Sequence, residues 1–171
     1  PDFQVTQVKN WGAVPGTIKK VTYRDKGEVI IALGWDRHVR IFDGNEDVII
    51  SGDIEEDNGL SPVFLKGITP ARLGQAKAEL DTEEQTYDLL VTMSPSSRTT
   101  HRLSLNLRTG AWASHRNPRN LQTLVMAESA QSNQRALIGA ARDGFVYWMN
   151  TGNTDAGTAV DEYLESPYFF P

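Results

Sequence analysis

The sequence predicts an all-β fold of short antiparallel strands, and three observations carry the prediction. Apolar runs of four to seven residues recur along the chain, they are rich in branched and aromatic residues, and Asp-Gly, Asn-Gly, Thr-Gly and Ser-Pro pairs separate nearly all of them. Such pairs supply backbone angles that tight turns need and that branched residues resist.

In chain order the expected strands are "KVTY" (20–23), "EVIIAL" (28–33), "HVRIF" (38–42), "DVII" (47–50), "PVFL" (62–65), "DLLVTM" (88–93), "LQTLVMA" (121–127), "RALIGA" (135–140) and "FVYWM" (145–149). One segment competes with this reading. "TPARLGQAKAELDTEEQ" (69–85) is rich in Ala, Leu, Lys and Glu, which favour a helix, while Gly74 interrupts it. A polar connecting loop with a helical turn is the other expectation there.

The chain has 171 residues, 39% hydrophobic and 23% charged, which suits one globular domain able to bury a core. No apolar run approaches the ~20 residues of a membrane-spanning helix, so a soluble protein without membrane contact is expected. The absence of cysteine excludes disulfides, thiolate metal sites and cysteine nucleophiles. The start of the chain has neither the basic nor the apolar stretch of a secretory signal. A net charge of -5 argues against a dedicated nucleic-acid binder.

Internal repetition organises these strands further. "EVIIALGWDRHVRIFDG" (28–44) aligns with "RALIGAARDGFVYWMNTG" (135–152) almost without a gap, pairing Asp36 with Asp143, Val39 with Val146, Ile41 with Trp148 and Asp43 with Asn150. A weaker copy runs through "YDLLVTMSPSSRTTHRLSLNLRTGAW" (87–112). Gly44, Gly110 and Gly152 anchor the three copies, with separations of 66 and 42, and "DVII", "AWAS" and "TAVDEYL" follow them as further strands. The shorter separation lies in the ~40 to 50 range of a four-stranded blade, and the longer one is a blade plus an insertion.

A single β domain over 1–171 follows, with blade-like repeats at about 17–52, 61–115 and 120–165, an N-terminal arm at 1–16 and an aromatic tail at 163–171. The architecture expected is a partial or incomplete β-propeller of antiparallel four-stranded blades, since three blades do not close a ring. A β-sandwich made from the same hairpins is the alternative. In a WD-type blade an Asp sits in the turn between the second and third strands, and Asp36 resembles that residue. The visible Trp35-Asp36 pair then owes nothing to the dipeptide that names such repeats, because Phe42-Asp43 holds the closing place.

"ARDGFVYWMNTGNTDAGTAVDEYLESPYFF" (141–170) together with "LNLRTGAW" (105–112) resembles the strand-and-turn repeats of β-propeller domains in tailed-bacteriophage virion proteins of the head-to-tail stabilisation and tail-tube-end class. The matching positions are Asp143, Gly144, Tyr147, Gly152, Thr154, Asp155 and Gly157. The resemblance covers about the last third of the chain and part of its middle. It implies a structural role in the neck or tail of a virion, assembly in the host cytoplasm, partners among other copies and neighbouring virion proteins, and no catalytic residue.

The residues themselves point the same way on chemistry. His38, His101 and His115 are the only histidines and none has a second ligand at metal-site spacing. The acidic stretch Asp53, Glu55, Glu56 and Asp57 lacks the glycine position and closing Glu of a calcium loop. No phosphate loop, serine elbow or zinc-protease pair is present, so no catalytic, cofactor-binding or metal-binding residue is assigned and no enzyme is expected.

Charge distribution supplies the candidate interface. No acidic residue occurs between Leu89 and Ala127, where Arg98, Arg102, Arg108, Arg116 and Arg119 lie; after Arg142 no basic residue occurs, while Asp143, Asp155, Asp161, Glu162 and Glu165 follow. Strand periodicity places Arg98, Arg102 and Arg108 on one polar face. That face suits the acidic strip of a neighbouring copy better than DNA phosphates, because Trp112 is the only stacking platform among the arginines. Tyr163, Tyr168, Phe169 and Phe170 form an aromatic end that must pack at home or on a partner. A WD-like interaction platform in a cellular protein is the competing function.

Overall fold

Short turns, two of them built on Asp-Gly, join consecutive strands here into up-and-down sheets. The computed structural model describes residues 12–52, 66–116, 119–128, 135–149, 154–155 and 158–159. Strands β1 (Lys19–Thr22), β2 (Glu28–Leu33), β3 (Val39–Phe42) and β4 (Asp47–Ile49) form the first sheet in that order. Strands β5 (Lys77–Asp81), β6 (Thr86–Val91), β7 (His101–Asn106) and β8 (Trp112–Arg116) form the middle sheet, again in sequence order. The third sheet holds β9 (Leu121–Glu128), β10 (Arg135–Ala141) and β11 (Val146–Trp148), and a separate pair follows, β12 (Thr154–Asp155) with β13 (Thr158–Ala159). Every ladder between these strands is antiparallel, so the all-β prediction holds.

The sheets stack face to face. Val21, Val29, Ile31, Leu33, Val39 and Ile41 of the first sheet share one buried core with Ala78, Tyr87, Leu89, Val91, Leu103 and Leu105 of the middle sheet. The alternation in β7 is plain: Leu103 and Leu105 point into that core while Arg102 and Ser104 point the other way. Leu90, on the opposite face of β6 from Leu89, packs with Leu121, Leu124 and Leu137 of the third sheet. The middle sheet is therefore covered on both faces, which is why β6 is buried almost end to end.

Hydrogen bonds tie the first sheet to the middle one. The Tyr87 hydroxyl donates to the Thr17 carbonyl at 2.7 Å, and Trp112 Nε1 donates to the Ile50 carbonyl at 2.9 Å. Burial pushes the Tyr87 phenol far above its ordinary value, so it stays a donor. Lys19 and Glu79 bridge β1 and β5 at 2.8 Å.

Both four-stranded sheets open in the same way. Gly12-Ala13-Val14-Pro15 and Gly67-Ile68-Thr69-Pro70 each form an isolated bridge, Ala13 to Gly34 and Ile68 to Met93. Val14 N donates to Leu33 O and Thr69 N to Thr92 O, each at 2.8 Å; Trp35 N donates to Gly12 O at 2.9 Å and Ser94 N to Gly67 O at 2.8 Å. A 3-10 turn then starts at Pro15 and at Pro70, where the fixed φ of proline suits the first helical position.

Val14 is fully buried in the core shared by the first two sheets. One expectation is corrected by these elements. The segment 69–85 is neither a helix nor a polar loop throughout: after the 3-10 turn Pro70–Gln75, Lys77–Asp81 is strand β5, paired with β6 from Lys77–Leu90 to Asp81–Thr86. Pairing and burial of Ala78 override the helical preference of the sequence. The third repeat has three strands among the described residues, with β12 and β13 paired to each other. The expected strand at 62–65, the first eleven residues of the N-terminal arm, the acidic stretch 53–57 and the tail 163–171 lie outside the described residues.

Candidate functional site

The turn between the second and third strands is the same object in the first and third sheets. In the first, Arg37 N donates to Gly34 O at 3.0 Å and Gly34 N to His38 O at 2.7 Å; in the third, Gly144 N donates to Ala141 O at 3.2 Å and Ala141 N to Phe145 O at 3.0 Å. Arg37 (φ 74°) and Gly144 (φ 89°) take the left-handed conformation at matching places. Asp36 Oδ1 accepts the His38 amide at 3.2 Å, and Asp143 Oδ1 accepts the Phe145 amide at 2.9 Å. The flanking ladders match as well, with Leu33 opposite Val39 and Ala140 opposite Val146.

What the second carboxylate oxygen holds differs. Asp36 grips the Arg40 guanidinium through two bonds, 2.8 and 2.5 Å, whereas Asp143 Oδ2 accepts the Tyr147 hydroxyl at 2.7 Å. Burial alone would raise the Asp36 pKa, but Arg40 and the His38 amide together hold it below the ordinary carboxylate value. The Tyr147 hydroxyl, then the Phe145 amide, and more weakly the charge of Arg119, hold Asp143 below that value too.

The arginines around the third-sheet turn share a common space. Arg98 from the β6–β7 loop, Arg119 and Asn120 from the approach to β9, and Arg142 and Asp143 from the β10–β11 turn line a cleft of about 390 Å³ between the middle and third sheets. The Ser96 hydroxyl accepts the Arg98 amide at 3.1 Å and shapes the loop that presents Arg98. The Arg119 guanidinium lies 5.6 Å from the centre of the Tyr147 ring. Phe145, 66% exposed, sits beside Tyr147 with ring centres 6.5 Å apart.

The arginines named from the sequence are thus dispersed. Arg98 and Arg119 meet in this cleft, while Arg108 lies at the opposite end of β7, in a cleft of about 710 Å³ whose charges are mixed, with Arg24 and Lys20 facing Asp25 and Asp81. Arg116 stands opposite His101 in the β7–β8 ladder, and burial, then the Arg116 charge, lowers the His101 pKa. Of Arg98, Arg102 and Arg108, expected on one polar face, only Arg102 lies within a strand. Strand β7 spans only His101–Asn106, and Arg102 on it is buried, 3.5 Å from a fully buried Asp88. Thr86 and Ser104 donate their hydroxyls to the same carboxylate.

Sequence reasoning missed Arg142 and Phe145. The signal was available in the repeat, since they flank Asp143 and Gly144 in a turn whose counterpart was recognised at Asp36. Of the other turn residues singled out, Gly44 (φ 104°) and Gly110 (φ 78°) both serve the connection between third and fourth strands. Gly152, Gly157, Tyr163, Tyr168, Phe169 and Phe170 lie outside the described residues. Among the described residues no three His, Cys, Asp or Glu side chains gather as metal ligands, and no helix is long and apolar enough to cross a membrane.

Among the described residues nothing covers the outer face of the third sheet. Val125, Ile138 and Trp148 stand in one row across its three strands, and Val125, Val146 and Trp148 are each at least half exposed. No protein-family model matches the chain, and no curated protein matches it.

Proposed function

We propose that this chain is a structural part of a tailed-phage virion, at the neck or tail, working through protein–protein contacts as a stack of blade-like sheets. The observation that carries the reading is the repetition of one turn, with the same hydrogen bonds and register, at Asp36 and at Asp143. Like units that bury their apolar faces by stacking form extended rigid bodies, and terminal units need a cover. The apolar outer face at Val125, Val146 and Trp148 is such an end among the described residues, and a neighbouring copy is its cover in this reading. The resemblance of residues 141–170 and 105–112 to virion propeller repeats names the kind of particle.

Light scattering coupled to size exclusion tests it together with negative-stain microscopy of the full chain. A ring or stack of uniform stoichiometry is the expected result. A monodisperse monomer at every concentration up to the millimolar range would overturn the reading in favour of a monomeric interaction platform.

A further inference from the structure

We propose that the cleft of Arg98, Arg119 and Arg142 receives the acidic–aromatic segment 161–170 of a second copy of this chain. The inference rests on the assembly reading above and names its contact. It starts from unbalanced charge: among the described residues three guanidinium groups line one concavity against one carboxylate, Asp143, whose oxygens accept the Phe145 amide and the Tyr147 hydroxyl. Arg98 and Arg142 form no ion pair among the described residues. Holding like charges together in a concave surface raises the local potential, and an arriving carboxylate relieves it with planar, two-point hydrogen bonding.

The surroundings narrow the occupant further. Phe145 stands two-thirds exposed at the mouth of the turn, next to Tyr147, so a ligand that fits offers aromatic surface as well as negative charge. Segment 161–170 has that composition: Asp161, Glu162 and Glu165 lie in its first half with Tyr163, while Tyr168, Phe169 and Phe170 close its second, and no basic residue follows Arg142 in the sequence. DNA offers phosphates, but the protein's net charge of -5 opposes its approach. A cleft and a complementary segment carried on one chain make a head-to-tail contact, which generates a ring wherever the rotation closes.

Complementary charge reversal in the full chain tests this. One variant carries Arg98→Glu with Arg142→Glu, and the other carries Asp161→Arg with Glu165→Arg. Circular dichroism and thermal melting establish that both fold. Each alone should assemble at least about tenfold more weakly than the natural chain, and mixing the two should restore assembly, because each cleft then meets a segment of opposite sign. Restored assembly on mixing supports the second copy as the occupant. If either variant assembles like the natural chain, the inference fails while the structural-part reading stands. If both are weakened but mixing restores nothing, the segment acts within its own chain and the inference is overturned. Binding of a labelled duplex DNA that is lost in the Arg98→Glu, Arg142→Glu variant with assembly unchanged would assign the cleft to nucleic acid instead. A natural chain that never assembles defeats both readings.

Discussion

Asp36 and Asp143 show how one carboxylate does the same backbone work with different side-chain partners. Each accepts the amide two residues on, closing the turn, and each reaches the side chain four residues on, Arg40 in one case and Tyr147 in the other. Replacing Asp36 by Ala should cost about 1 kcal/mol in urea unfolding, the net worth of a turn bond plus a screened ion pair on a half-exposed carboxylate. Acid dependence follows from the same bonds. The folded pKa values of Asp36, Asp43 and Asp143 lie below the unfolded value of 3.8, so the folded chain binds protons less readily there. Their stabilisation is complete above about pH 4 and is lost as pH falls through the lowered values, and Asp36→Asn should flatten that part of the melting-temperature profile.

His101 acts in a separate window. Its folded pKa lies below 6.5, because burial and then the Arg116 charge disfavour the imidazolium. Between the folded value and 6.5 the unfolded chain takes up a proton that the folded chain refuses, so stability falls as pH drops below 6.5. An NMR titration of His101 should give a midpoint below 6.5, and His101→Gln should remove the slope in that range; a midpoint above 6.5 would contradict the assignment.

At the scale of elements, the middle sheet decides most of what the sequence left open. Strand β5 has the residues of a helix, "KAELD", and forms a strand because β6 offers it a full ladder and the core takes Ala78. The opening bridge is legible in principle, since Gly-x-x-Pro occurs at Gly12 and again at Gly67, but so short a spacing of two turn residues marks no particular pairing by itself. The polar face of β7 misled for a physical reason. Arg102 and Ser104 look solvent-seeking in one dimension, yet with Thr86 they surround a buried Asp88. Arg102→Met should therefore lose about 3 kcal/mol by leaving a buried carboxylate without its cation, and the double change Asp88→Leu, Arg102→Met should recover much of it. Equal losses in the single and double variants, measured by denaturant unfolding, would show that the pair contributes through packing alone.

For the whole molecule, stacking order governs which surfaces exist. The third sheet covers Leu90, so a chain ending after residue 118 should bind a hydrophobic dye and unfold with a broader transition than the full protein. A truncated chain that melts as sharply as the full one would mean that the first two sheets need no such cover. The arginine cleft likewise belongs to the stack, because its residues come from two sheets that meet only in three dimensions.

What the amino-acid order determined on its own was local: strand after strand, the turn at each Asp and Gly, and the kinship of residues 28–44 with 135–152. These follow from short-range physics, the two-residue alternation of side chains and the few backbone angles a turn permits. Only the tertiary structure decided that β5 is a strand, that Arg102 is buried, and that Arg98, Arg119 and Arg142 share one cleft. Each of those depends on which sheet lies against which face, and burial between sheets is a property of residues far apart in the chain.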